Sequence, residues 1–164
     1  MSHVRYIDKT RDYYLSQGYE KPYRWAHFDE VPFQPLAKPL AESRLALIST
    51  SEIAVRSWAD QSTPLQHGEA GSVYSIPIET PVEDLYSHSL SYDSHATTLD
   101  DVNAFFPLTR LGELVAAGRI GALAPNAQAL YNAYSQLKTR TVDAPEVLRR
   151  CRDEAVDIAL LTPV

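Results

Sequence analysis

An α/β fold is what the sequence predicts, and three observations predict it. Short apolar runs stand at Arg44–Thr50 (RLALIST) and Val156–Leu161 (VDIALL), and an alternating run at Ser72–Ile78 (SVYSIPI). Segments with apolar residues at helical spacing separate them, so strands mix with helices, which favours a parallel sheet joined by helical crossovers. The chain has 164 residues, 45% hydrophobic and 22% charged, which suits one globular domain.

Residues 1–43 read differently from the rest. They hold Tyr6, Tyr13, Tyr14, Tyr19, Tyr23, Trp25, Phe28 and Phe33, half of all the aromatic residues, together with Pro22, Pro32, Pro35 and Pro39. Proline at this density prevents a continuous helix or a central strand. The expectation is an extended arm with a short helix near Lys9–Gln17, packed on its own domain or used as an oligomer contact. Residues 44–164 form the expected α/β domain.

Within that domain Arg44–Thr50 is a buried strand. The polar stretch 57–71 (SWADQSTPLQHGEAG) is loop. Ser72–Ile78 is a strand, and Pro77 makes it an edge candidate. Thr80–Glu83 (TPVE) has the form of a capping box that opens a short helix. Pro107–Ala117 carries Leu108, Leu111, Leu114 and Val115 at helical spacing, and Gly118 ends it. Gly112 inside it costs about 1 kcal/mol relative to alanine. Pro125–Leu137 reads as another helix, with Leu130, Tyr131, Tyr134 and Leu137 on one face. Asp143–Glu146 (DAPE) reads as a second capping box, opening a helix through Glu154 that turns Val147, Leu148, Cys151 and Ala155 inward. The first and last strands, apolar throughout, should be covered on both faces. The expected architecture is a three-layer, Rossmann-like or flavodoxin-like parallel sheet. Its first strand is central, with the 72–78 strand on one side and the 156–161 strand on the other.

Several function classes are excluded by composition. The net charge of −6 and pI near 5.3, with no Lys/Arg-rich run, leave no footprint for nucleic acid or an anionic membrane. No apolar stretch reaches the roughly 20 residues that span a bilayer. The amino terminus has no apolar signal core, so a cytoplasmic location is expected. A single cysteine allows no intrachain disulfide. Gly118, Gly121 and Pro125 shape a turn. The sequence holds neither G-x-G-x-x-G nor a Walker pattern nor a G-x-S-x-G elbow, so no dinucleotide or phosphate cofactor is expected.

Ligands of open α/β sheets bind outside the carboxyl ends of the strands. On that rule Ser49, Thr50, Ser51, Glu52 and Thr162 border the binding crevice. A polar loop brings His88, Tyr92, Asp93, His95, Asp100 and Asp101 together, residue types that ligate zinc or iron, but their spacing matches no strong metal motif and no metal is expected. Asp101 and Asn103 also suit a turn that starts a helix. Arg110 is either a partner for a substrate carboxylate or a helix-surface arginine. Cys151 has three arginines near it in sequence, yet shares a helical face with Val147 and Leu148, which favours a buried structural thiol over a reactive one.

The segment Tyr92–Pro125 (YDSHATTLDDVNAFFPLTRLGELVAAGRIGALAP), the ending VDIALLTPV and the opening KPYRW with KPLAESRLALIST resemble the selenoprotein B family of glycine, sarcosine, betaine and D-proline reductases, in particular its short bacterial members. The resemblance runs from about Lys21 to Val164. It rests on the combination of Asp101, Asn103, Pro107, Arg110 and Leu111 with the turn Arg119–Pro125. It implies that the strand ending in VDIALLTPV leads into a selenocysteine or cysteine, the redox nucleophile that attacks the α-carbon of an activated amino acid and expels the amine. The chain stops one residue short of that position, so the expectation is an amino-terminal part of a family member, cut at a UGA codon or a cleavage point, with its sheet incomplete at the carboxyl end. The resemblance further implies a small amino-acid-like substrate oriented by His88, Asp93, Asp101 and Asn103, beside Ser49, Thr50 and Thr162. It implies an external thiol or redox protein, and an activating carbonyl group on another chain. A homo-oligomer or a partner subunit would complete the sheet. Two other readings stand beside it: a non-catalytic interaction or regulatory module acting through the aromatic arm, and a metal-dependent enzyme using the His88–Asp101 loop.

Overall fold

The computed structural model describes residues 5–21, 29–31, 34–58, 73–87, 98–131 and 135–163. The chain divides into two compact units, Met1–Pro35 and Leu36–Val164. In the first, helix α1 (Tyr6–Ser16) overlaps the helix expected near Lys9–Gln17. Gly18, at φ +85°, ends it in the left-handed conformation that glycine adopts without steric penalty. Tyr14 meets Tyr13 and Tyr19 edge-on, at 5.8 and 5.3 Å between ring centres. Four aromatic residues of the arm, Tyr23, Trp25, Phe28 and Phe33, lie outside the described residues.

The second unit is built on β1 (Arg44–Ser49), which is buried from Leu45 onward because it lies at the centre of a sheet. After it come β2 (Ile53–Val55), β3 (Val73–Pro77) and β4 (Leu85–Ser87). Helix α2 (Leu108–Ala116) is followed by β5 (Ala122–Leu123) and β6 (Asn126–Leu130). A helix over residues 136–153 then leads into β7 (Ile158–Thr162). Leu45 pairs with Leu123 and with Ile158, and Ile48 pairs with Gln128 and with Leu161. A strand residue has one neighbour on each side, so β5 and β6 share one side of β1 and β7 takes the other. Between the two pairing stretches β1 advances from Leu45 to Ile48 while its neighbour advances from Leu123 to Gln128. The surplus around Ala124 and Pro125 is a bulge in a single interrupted strand. The strand sequence across the sheet is therefore β3, β5/β6, β1, β7.

This corrects two expectations. The 126–130 segment is a strand, not part of a helix, and it separates β3 from β1. Ala127, Gln128 and Ala129 favour a helix on propensity alone, but tertiary context overrides so weak a preference. Ala127 and Ala129 are fully buried, and their small side chains let larger ones cross the centre of the sheet. The sheet is also mixed rather than wholly parallel. β5, β6 and β7 run parallel to β1, whereas β3 runs antiparallel to β6. Beyond the sheet, β2 and β4 form an antiparallel pair.

Both faces of the sheet carry helices. On one, α2 contributes Leu108 and Leu111 to a core with Leu45, Leu47, Ile76, Phe105 and Phe106, where Ile158 and Leu160 also pack. On the other, Val147 and Cys151 of the 136–153 helix meet Ile48, Val73 and Leu130. The DAPE box does not start this helix. It begins at Ser135, whose hydroxyl accepts from the Lys138 N–H (3.2 Å), and continues through α3 (Gln136–Lys138), a π-helical stretch (Thr139–Asp143) and α4 (Ala144–Asp153). Pro145 explains the wide turn: it has no N–H to offer, and its ring crowds the carbonyl of residue 141. Asp143 is thus a buried helical residue and not a cap. The TPVE box gives only a single 3-10 turn (Val82–Asp84) with no side-chain cap.

Two residues expected to face inward, Leu148 and Ala155, are exposed, as is Leu114 among the helically spaced residues of α2. So is one face of β7: Ile158, Leu160 and Thr162 are half-buried while Ala159 and Leu161 face outward, Leu161 at 67% exposure. The last strand is covered on one face only, because the 136–153 helix lies over β3, β6 and β1.

Candidate functional site

The parallel strands β6, β1 and β7 finish at the same edge, at Leu130, Ser49 and Thr162. Just past that edge the chain turns sharply into β2. The Ser49 hydroxyl lies 2.7 Å from that of Ser51, 3.2 Å from the Phe105 carbonyl and 3.1 Å from the Thr162 carbonyl. It has one proton, so it donates to one carbonyl at a time and accepts from Ser51, whose backbone N–H also reaches it at 3.2 Å. Ser87 donates to the Ser51 carbonyl. Thr162 donates weakly to the Ile48 carbonyl (3.4 Å), and its own carbonyl accepts from the Thr50 N–H (3.3 Å). Ser49 and Ser51 are almost fully buried. They form the floor of the site and tie β1, β7, β4 and the 105 turn together.

Glu52 follows at φ +52°, a conformation costly for a side chain of this size. It is 8% exposed. Tyr74 of β3, whose register partner is Ala129, reaches across that alanine to donate to the Ile53 carbonyl at 2.5 Å. Burial, then the neighbouring Glu52 and Tyr131, push its hydroxyl well above the ordinary tyrosine range, so it stays protonated as a donor.

The loop candidates divide. His88, Tyr92, Asp93 and His95 lie outside the described residues. Asp101 accepts from the Asn103 N–H (3.0 Å) and caps the 3-10 turn Val102–Ala104, while the Asn103 side chain accepts from the Thr109 N–H (3.2 Å) in the first turn of α2. Both therefore satisfy free backbone groups, and through the Phe105 carbonyl their turn is joined to Ser49. Arg110 is exposed and paired with Glu113 at 2.7 and 2.8 Å. Among the described residues no three His, Cys, Asp or Glu side chains converge as metal ligands would.

Thr50 points the other way from Ser49, as alternation requires. With Ile48, Val147, Cys151 and Leu161 it lines an open apolar groove of about 410 Å³ between α4 and β7. Cys151 is half-buried there, and burial, then the Glu154 carboxylate, raise its thiol above the ordinary value, opposite to what a thiolate nucleophile needs. Sequence reasoning had marked Ser51 and Glu52 at the crevice but not Tyr74, Ser87 or Phe105. Those three depend on which strands and turns adjoin β1, which no local pattern encodes.

Fold and site together define an α/β protein with a buried cluster of hydroxyl groups at the carboxyl ends of its parallel strands. The chain is similar to the D-proline reductase subunit gamma of Acetoanaerobium sticklandii, with 30% identity over 129 residues. The match covers 78% of this chain and 51% of the relative, so the chain spans about half the length of the protein it matches. That similarity supports a relation to the proline/glycine reductase family. No family model matches the chain, and no solved structure matches it significantly. Among the described residues no helix is long and apolar enough to cross a membrane.

Proposed function

We propose that this chain is part of a subunit of a selenoprotein B-type reductase, providing scaffold and part of the substrate pocket for reductive cleavage of a carbon–nitrogen bond in a small amino-acid-like substrate. The similarity to a D-proline reductase subunit carries the reading. The polar residues Ser49, Thr50 and Thr162 at the ends of β1 and β7 support it, with Asp101 and Asn103 on the adjoining turn; His88 and Asp93, which precede that turn in sequence, complete the proposed set.

In the proposed reaction a selenolate or thiolate displaces the nitrogen from the α-carbon. A second thiol then attacks the selenium or sulfur, the carbon takes up a proton, and a selenenyl sulfide or disulfide remains. An external dithiol restores the resting state, so each turnover consumes two electrons and two protons. D-proline would open to 5-aminopentanoate. Cys151 is not the nucleophile: it is half-buried, its pKa is raised, and it faces the groove rather than the serine floor. The nucleophile belongs to the part of the enzyme outside the matched half.

A partner polypeptide would lie along the outer edge of β7 and over the groove where Leu148 and Leu161 are exposed. Among the described residues β7 pairs only with β1, and an open apolar strand edge favours such pairing. The test is proline-dependent oxidation of dithiothreitol, with 5-aminopentanoate measured as product. The expected result is turnover in the assembly isolated from native cells through a tag on this chain, and none in the isolated 164-residue chain. Turnover by the isolated chain that Cys151→Ser abolishes overturns the reading.

A further inference from the structure

We propose that Glu52, beside Tyr74, is a receptor for the cationic nitrogen of the substrate. The proposal rests on the reductase reading for the identity of that substrate. The site itself is argued from the geometry alone.

Three strands bring the residues together. Glu52 follows the end of β1, Tyr131 follows the end of β6, and Tyr74 is near the start of antiparallel β3, at the same edge of the sheet. Tyr74 and Ala129 are register partners, and Tyr131, two residues beyond Ala129, continues on that face. Because Ala129 is small, the Tyr74 ring lies across it, held by its bond to the Ile53 carbonyl one residue from Glu52. The Tyr74 hydroxyl feels the charge of Glu52 and, after it, Tyr131.

The carboxylate of Glu52 is the anomaly. A glutamate this buried is ordinarily paired, yet among the described residues neither a hydrogen bond nor an ion pair holds it. No fully buried side-chain oxygen among the described residues lacks a partner, so the Glu52 carboxylate tip is within reach of solvent. The backbone holds the residue at φ +52°, where a glutamate has no intrinsic reason to be. A largely buried, unpaired carboxylate whose tip still meets solvent suits an ammonium or iminium group, which gains a charge-assisted bond there. A neutral or anionic group in the same place would leave the charge without a partner.

Calorimetric titration of the full chain tests this with three ligands. Pyrrolidine is a cation without a carboxylate, D-proline carries both groups, and tetrahydrofuran-2-carboxylate keeps the ring and carboxylate but replaces the charged nitrogen by oxygen. Pyrrolidine and D-proline should bind and the oxygen analogue should not. Glu52→Gln should weaken the two cations about tenfold or more, the range of a charge-assisted bond. Glu52→Asn, whose side chain tolerates positive φ, should do the same while keeping the fold, checked by its melting curve. Equal binding of the oxygen analogue, unchanged affinity in both variants, or no binding by any ligand overturns the proposal. Glu52-dependent binding of pyrrolidine with none of D-proline leaves the cation site standing and removes the reductase reading. Glu52-independent binding of D-proline does the reverse.

Discussion

Gly121→Ala should be the most damaging alanine substitution among the described glycines of the α/β unit. A Cβ there would lie 2.7 Å from the Glu42 carbonyl carbon, 2.9 Å from the Ala41 oxygen and 2.9 Å from the Ser43 nitrogen. All three are backbone atoms, so no side chain can swing away, and ordinary contact needs about 3.4 Å or more. The 3-10 turn Leu40–Glu42 would have to retreat by more than half an ångström. That would stretch the bond from the Gly121 N–H to the Leu40 carbonyl (3.1 Å) and the one from Ala122 to the Ser43 carbonyl (3.1 Å). Overpacking of this kind costs about 2 kcal/mol. Two other glycines are internal controls. Gly118 has open space but φ +67°, so Gly118→Ala should cost about 1 kcal/mol through the left-handed backbone. Gly112 has open space in a helix interior, so Gly112→Ala should stabilise by roughly 0.5–1 kcal/mol. Urea unfolding followed by circular dichroism gives the three midpoints, compared at constant slope. A Gly121→Ala protein as stable as the wild type would refute the packing around the start of β1, and a Gly112→Ala protein less stable would refute the open space beside α2.

Other substitutions test the helix and its surroundings. Ser135→Ala should lose about 1 kcal/mol of stability by removing the cap of the 136–153 helix, readable in the same urea experiment. Asp143→Ala should show no signature of a lost cap, since the helix has already begun eight residues earlier. Glu146 is held at about 2 by its hydrogen bonds to Arg149 and Arg150. A depressed carboxylate contributes stability above its unfolded value and loses it as pH falls through the folded one, so the melting advantage of wild type over Glu146→Gln should fade between about pH 4.5 and 2. Cys151 should react with iodoacetamide at pH 7.5 well below the rate of a free cysteine and speed up on denaturation; free-thiol kinetics in the native protein would contradict its place against Ile48 and Val147.

What was legible in the sequence follows from how local each signal is. β1, β3 and α2 declared themselves, because RLALIST and SVYSIPI are too apolar or too regular for loop and Leu108 with Leu111 marks a helical face. β6 did not. Its Asn-Ala-Gln-Ala-Leu sequence has helical propensity, and only burial on both faces makes it a strand. There Gln128 receives the Ser75 hydroxyl (3.0 Å) and lies within reach of Arg150 (3.3 Å). The DAPE box misled for a related reason: proline two residues after aspartate marks many helix starts, but here the π-helical turn absorbs it inside a longer helix. At the site, Ser49 ends β1 and Ser51 and Glu52 follow it past the edge of the sheet, as the order of the sequence requires. That order could not reveal that the serines would be spent on holding strands together, nor that Tyr74 would arrive from across β6.

The central claim is that the carboxyl edge of β1, β6 and β7 receives a small amino-acid-like molecule. Amide chemical shifts of the nitrogen-15-labelled chain, followed as D-proline is added, test it most directly. The account predicts saturable shifts concentrated at Ser49, Thr50, Ser51, Glu52 and Thr162, with Tyr131 affected and the outer face of α4 silent. Shifts confined to α4, or a spectrum unchanged at saturating D-proline, would contradict it.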